Sequence, residues 1–215
     1  TALSSAVFHA ISAFCNAGFS LYSDSLMQFA ADPWVNFVVV TLIVLGGLGF
    51  GVLMGLRRYV LRQTGPVMSV HIKVVLFTTV VLLFGGAWLY FVFEYEHSLA
   101  HLSFRGKLLA SFFQSATART AGFNTVPLEV MQPATTLLII ALMLIGASPG
   151  STGGGIKTTT VALVLLAARA FLTERSDVEV FGRRVPPAQI LRALALMGTG
   201  AVCYVVGFCV LLLTE

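Results

Sequence analysis

Charge is scarce in this chain. Only 10% of its 215 residues are Asp, Glu, Lys or Arg, against about a quarter in a soluble domain. The scarcity is also uneven: residues 37–56, 74–93, 134–156 and 193–214 hold no acidic or basic side chain. Each run reaches the ~20 residues that a helix needs to cross a bilayer's hydrocarbon. With a mean hydropathy of +0.92, this excludes an ordinary soluble domain and points to an all-α, multi-span membrane protein. Cysteine is nearly absent as well. Cys15, Cys203 and Cys209 lack metal-ligand spacing and read as small buried residues. No apolar run carries a paired carboxylate, a His/Cys cluster or a nucleophile–base pair, which argues against a membrane enzyme. Neither an initiating Met nor a leader pattern is present, so the chain is expected to be a piece of a longer one.

The charges that remain sit in the gaps. Arg57, Arg58, Arg62 and Lys73 fall between the first two long runs, and Arg169, Arg175, Arg183, Arg184 and Arg192 between the last two. These are 9 of the 13 basic residues, and such an excess marks cytoplasmic loops. Asp24, Asp32, Glu94, Glu96 and Glu129 collect on the opposite side, with Arg105 and Lys107 as exceptions. The net charge of +4 therefore reports topology in a cell membrane, and no nucleic-acid partner is implied. Glu94, His97 and His101 have a spacing that could hold a metal, although a polar outer linker is the simpler reading. His9 and His71 have no evident partner and read as structural.

Two apolar segments are too short to span. Residues 1–23 are uncharged, yet only about 14 residues, roughly 20 Å of helix, precede the turn at Asn16-Ala17-Gly18. Residues 108–118 are shorter still. Both can enter the membrane and turn back. After the first, Asp32-Pro33-Trp34 has the signature of a helix start: an acidic cap, Pro in the first turn and an interfacial Trp. It predicts a continuous span over 36–56, whose five glycines (Gly46, Gly47, Gly49, Gly51, Gly55) allow close helix approach. Gly65-Pro66 breaks the next loop, and a second span runs from Lys73 to Glu94.

The apolar run 134–168 is too long for one crossing, since its 35 residues would extend about 52 Å as helix. Its middle, Gly146-Ala147-Ser148-Pro149-Gly150-Ser151-Thr152-Gly153-Gly154-Gly155, disfavours helix, Gly by about 1 and Pro by about 3 kcal/mol relative to Ala. Two half-helices joined by an intramembrane loop are expected. Irregular backbone at that depth persists only where protein buries it or where it lines water, so the loop reads as a flexible gate. Ile156 separates its last glycine from Lys157 and no strand precedes it, so it is not a phosphate-binding P-loop. Lys157 could meter cations or tether the loop. Pro186-Pro187 leads into the final span, 193–214.

Each short apolar segment ends in a similar turn: Asn16-Ala17-Gly18-Phe19-Ser20 and Thr120-Ala121-Gly122-Phe123-Asn124. At an offset of 104 the copies match at Ala6/Ala110, Phe8/Phe112, Ala17/Ala121, Gly18/Gly122 and Phe19/Phe123. The same register matches Gly46/Gly150, Gly49/Gly153 and Gly51/Gly155. The repeated unit reads as span, half-helix, loop and returning span, a way to build a pseudo-symmetric pore from one chain. The turns lie close to the Thr-Val-Gly-Tyr-Gly pattern of potassium channels, where backbone carbonyls replace an ion's water and glycine permits the dihedrals this requires. The backbones of Asn16, Ala17, Gly18, Phe19, Thr120, Ala121, Gly122 and Phe123 are the candidate ion ligands, with K⁺ at Gly18 and Gly122. Arg119, a charge at membrane depth, is expected to brace the second turn through carbonyls or an outer acid.

The segments Gln114–Asn124 and Gly150–Thr160 resemble the superfamily of potassium transporters comprising Ktr, Trk and plant HKT proteins, and are most similar to its bacterial Ktr type. The resemblance covers essentially the whole chain. It implies four helix–pore-loop–helix repeats around one pore, with one filter glycine per repeat. Residues 1–70 would then end the second repeat, 71–170 would form the third, and 171–215 would open the fourth. It also implies an intramembrane gate at Ala147–Gly155. Ktr-type members are homodimers regulated by a cytoplasmic nucleotide-binding ring, so a nucleotide would enter only through that partner and no covalent cofactor is expected. The leading functional expectation is channel-like potassium uptake, with sodium dependence left open. An alternating-access cation symporter is the alternative.

Overall fold

The structure is a computed structural model that describes residues 2–62, 68–174 and 177–214. The chain is mostly helical: α1 (Ala2–Phe14), α2 (Pro33–Leu48), α3 (Phe50–Val60), α4 (Val70–Glu94), α5 (Phe104–Thr117), α6 (Pro133–Leu144), α7 (Thr158–Leu172), a two-stranded hairpin β1 (Glu179–Val180) and β2 (Arg183–Arg184), and α8 (Pro187–Thr214). Helix starts follow the local chemistry. Asp32 caps α2 by accepting from the N–H groups of Trp34 (2.9 Å) and Val35 (3.1 Å), Pro33 occupies the first turn, and Ser69 and Ser103 cap α4 and α5. Two described helices, α4 and α8, are long and apolar enough to cross a membrane. The Gly65-Pro66 break expected from the sequence lies outside the described residues.

The expected span over 36–56 is two helices. The chain bends by 100° between α2 and α3, at Gly49, whose φ of +89° no helix contains. At 16 residues, α2 extends about 24 Å, and α3 runs off sideways with Arg57 and Arg58 in its last turn. The second long run breaks as expected, between α6 and α7.

The repeat is clearest at the two turns. Asn16 (φ 52°) and Gly18 (φ 73°) match Thr120 (φ 79°) and Gly122 (φ 92°) in conformation at the 104-residue offset. The returning helices start at Pro33 and Pro133, 100 residues apart, so the ungapped register ends beyond the turns. Gly46 and Gly51 are helical where Gly150 and Gly155 turn at positive φ. Those glycine matches share sequence but not structure.

The largest apolar cluster lies directly behind the turns: Ala13, Val39, Val40, Ile43, Leu83, Phe113, Ala116, Ala121 and Phe123 are all buried there. Helix α5 seats against α4 because Gly86 leaves room for Ser115, whose hydroxyl donates to Leu83 O at 2.8 Å. Lys107, an exception to the charge bias, is buried because its ammonium donates to Tyr95 O (2.5 Å) and stands over the Tyr95 ring. Glu94 is fully buried and accepts from the N–H groups of Ser98 (3.1 Å) and Gln132 (2.9 Å), so it staples the outer linker. No group of three or more metal-ligating side chains forms among the described residues, which removes the metal reading of Glu94, His97 and His101. The three cysteines are exposed rather than buried. Cys203 and Cys209 lie on the part of α8 that nothing described covers.

Candidate functional site

Helix α1 ends where Ala17 N–H donates to Ser12 O (2.9 Å), and α5 ends where Ala121 N–H donates to Thr117 O (3.0 Å). In each turn a left-handed residue, an ordinary one and a left-handed glycine follow in sequence. Such alternation keeps successive peptide groups facing one way. A hydroxyl from each short helix then clips the outgoing strand. Ser12 donates to Phe19 O (2.9 Å), and Thr117 donates to Phe123 O (2.8 Å). The Phe19 and Phe123 carbonyls, expected among the ligands, are thus held by the protein itself. Among the described residues, no hydrogen bond ends on the carbonyls of Asn16, Ala17, Gly18, Thr120, Ala121 or Gly122.

The two turns meet. A Cβ added to Gly18 would overlap the Ala121 carbonyl oxygen and stand 3.0 Å from Gly122 Cα. One added to Gly122 would stand 3.6 Å from Gly18 Cα. Beyond the glycines the strands are joined, with Leu26 N–H donating to Asn124 O (2.9 Å) and Asn124 N–H to Ser25 Oγ (3.0 Å). The Phe123 ring is buried, whereas Phe19 is exposed.

Beneath the turns lies the segment 145–157. It was expected to be flexible, but it is folded on itself and docked. Gly146 N–H donates to Ile156 O (3.0 Å) and Ala147 N–H to Gly154 O (3.1 Å). Ser148 N–H donates to Gly47 O (2.9 Å), Thr152 N–H to Gly46 O (3.2 Å), and Phe50 N–H to Gly150 O (2.9 Å). The break between α2 and α3 therefore supplies the seat for this loop, with the Pro149 carbonyl packed where a Cβ on Gly49 would sit. At the tip, the Thr152 hydroxyl donates to Phe14 O (3.0 Å) and accepts from Asn16 Nδ2 (2.8 Å). Gly153 lies so close to Thr120 that a Cβ would strike its hydroxyl. Ser151 donates to Ser148 O (2.6 Å). Lys157 donates to Gly153 O (2.7 Å), so it tethers the loop.

Arg119 does not reach the carbonyls of either turn or an outer acid. It is buried, its Nε has no hydrogen-bond partner among the described residues, and it borders a small cavity lined by Asn16, Gly47, Thr79 and Ala147. It thus stands between the second turn and the docked loop. Sequence reasoning missed Ser12 and Thr117. The signal available was a hydroxyl residue in the last turns of each short helix. It also missed His9, whose Nδ1 lies 2.8 Å from Ser5 O.

The model of the cation transport protein family TrkH matches residues 1–213. The chain belongs to the TrkH family. This TrkH-family chain is 41% identical to the Ktr system potassium uptake protein B of Vibrio alginolyticus over 98% of its own length and 46% of the relative's. It is 39% identical to the potassium/sodium uptake protein NtpJ of Enterococcus hirae, over 97% of itself and 46% of that protein. The crystal structure of the potassium transporter TrkH from Vibrio parahaemolyticus superposes with a TM-score of 0.71 at 21% identity, covering 94% of this chain and 44% of that one. That likeness supports the fold, a mostly helical one. The chain spans about half the length of the curated relatives it matches.

Proposed function

We propose that this TrkH-family chain supplies two of the filter loops and the intramembrane gate of a potassium-uptake pore in the cell membrane. The ion is K⁺, with Na⁺ as a second candidate. The ligands are the carbonyls of Asn16, Ala17 and Gly18 and of Thr120, Ala121 and Gly122. The carrying observation is the contact of Gly18 with Gly122, two left-handed glycines, each following a helix too short to span. Six carbonyls that accept no hydrogen bond among the described residues support it, because their oxygens are left free to take the place of an ion's water. No fixed negative charge is needed, since carbonyl dipoles replace the hydration shell. The half-helices end at the turns and present their negative dipole ends there.

In this reading 1–70, 71–170 and 171–215 belong to successive pore repeats, and 145–157 occupies the closed position below the filter. In this reading the assembly is a homodimer under a cytoplasmic nucleotide-binding ring, as the resemblance to the Ktr type implies. The break at Gly49 gives the alternating-access reading its support, because a second discontinuous helix at the midplane also marks such transporters.

The test is Rb⁺ uptake by the full-length protein in liposomes. Wild type should carry Rb⁺ down its own gradient without a coupled ion. Gly122→Ser should lose preference for Rb⁺ over Na⁺, and deleting 153–155 should raise flux. A fixed coupling stoichiometry would favour the symporter, and unaltered selectivity in Gly122→Ser would defeat the filter.

A further inference from the structure

The ring of His9 sits behind the first turn and is bonded on both edges. Its Nδ1 lies 2.8 Å from Ser5 O, which can only accept. Its Nε2 lies 3.3 Å from the backbone N–H of Leu21, which can only donate. Those two partners fix the tautomer: the proton is on Nδ1 and the Nε2 lone pair faces Leu21. The imidazole is therefore a neutral crosslink between α1 and the strand that leaves Gly18.

The network extends to the second turn. Ser20 Oγ accepts from Tyr22 N–H (3.1 Å) and lies within donating distance of two acceptors, Nε2 (3.1 Å) and Ser25 O (3.2 Å), which share its one proton. Ser25 Oγ in turn accepts from Asn124 N–H. Tyr22 stacks on the imidazole, with centroids 5.0 Å apart and planes at 12°, and its hydroxyl meets Ser5 Oγ at 2.9 Å. The residue matched to His9 at the 104-residue offset is Phe113, which is fully buried in the apolar cluster. The second turn is thus backed by a ring that only fills space, and the first by one that also makes hydrogen bonds.

We propose that His9 is the positioning residue of the outer filter, holding the Leu21 end of the first loop and, through Ser20 and Ser25, its junction with Asn124. This rests on the filter reading of Gly18 and Gly122.

The experiment measures Rb⁺ and Na⁺ uptake by the full-length protein in liposomes, for wild type, His9→Phe, His9→Gln and Ser20→Ala. His9→Phe keeps a buried ring but cannot accept from Leu21. Its Rb⁺/Na⁺ ratio is expected to fall about tenfold, the scale of one lost buried hydrogen bond, while Na⁺ uptake continues. His9→Gln can donate and accept, and should stay within about twofold of wild type. A wild-type ratio in His9→Phe overturns the proposal, as does equal loss of both ions in His9→Phe and His9→Gln that elute like wild type. If His9→Phe does not fold, Ser20→Ala decides: a lowered ratio supports the relay and an unchanged one overturns it. A wild type with no preference for Rb⁺ defeats the filter reading instead.

Discussion

At the residue scale, the two glycines of the turns are not equivalent, although their sequence contexts are. Gly18 has the Ala121 carbonyl where its Cβ would go, whereas a Cβ on Gly122 meets nothing nearer than 3.6 Å. Both need positive φ, so alanine at either is strained, by roughly 1–3 kcal/mol. Gly18→Ala adds a backbone collision to that. We expect Gly18→Ala to abolish Rb⁺/Na⁺ discrimination and to lower the yield of folded protein. Gly122→Ala should lose discrimination while folding nearly as wild type does, and paired uptake and size-exclusion measurements check both. Thr152 offers a finer probe, since its hydroxyl bonds both Phe14 O and Asn16 Nδ2. Thr152→Val removes two hydrogen bonds, each of about 1 kcal/mol, at almost constant volume. It should raise Rb⁺ flux several-fold, whereas Thr152→Ser should match wild type. The left-handed turns at Gly18 and Gly122 were legible in the sequence because only glycine takes such dihedrals cheaply. The partner of Thr152 was not, because a hydroxyl in a loop bonds whatever tertiary packing brings to it.

Among the elements, the two broken returning helices differ in how openly the sequence declares them. In 134–168 a proline and clustered glycines oppose helix together, and the break was plain. In 36–56 the glycines are spread through an apolar run and fit a close-packing face equally well. Only the docked loop distinguishes Gly49, through Phe50 N–H bonded to Gly150 O and the Pro149 carbonyl packed against it. Gly49→Ala should therefore unseat the loop, raising flux and lowering thermal stability. Gly51→Ala, two residues on, faces open space within α3. It should be neutral or stabilise by about 0.5–1 kcal/mol through helix propensity. Thermal unfolding in detergent separates the two. The β1–β2 hairpin was also hidden, because its turn needs positive φ at Phe181 as well as at Gly182, and only the glycine announces that.

For the whole molecule, the charge-free runs settled the class. Uncharged apolar runs of this length suit a bilayer rather than water, and positive loops follow from insertion. What the sequence could not supply was the company of the exposed faces. Helix α8 is mostly exposed among the described residues, touching α7 and, at Gly200, Ile156. The chain spans about half the length of the relatives it matches. The central claim concerns the axis between the turns. The most direct measurement is a crystal structure of the full-length protein soaked in Rb⁺, with the ion located by its anomalous signal. The account predicts a peak between the carbonyls that flank Gly18 and Gly122; Rb⁺ held only by side chains away from both glycines would contradict it.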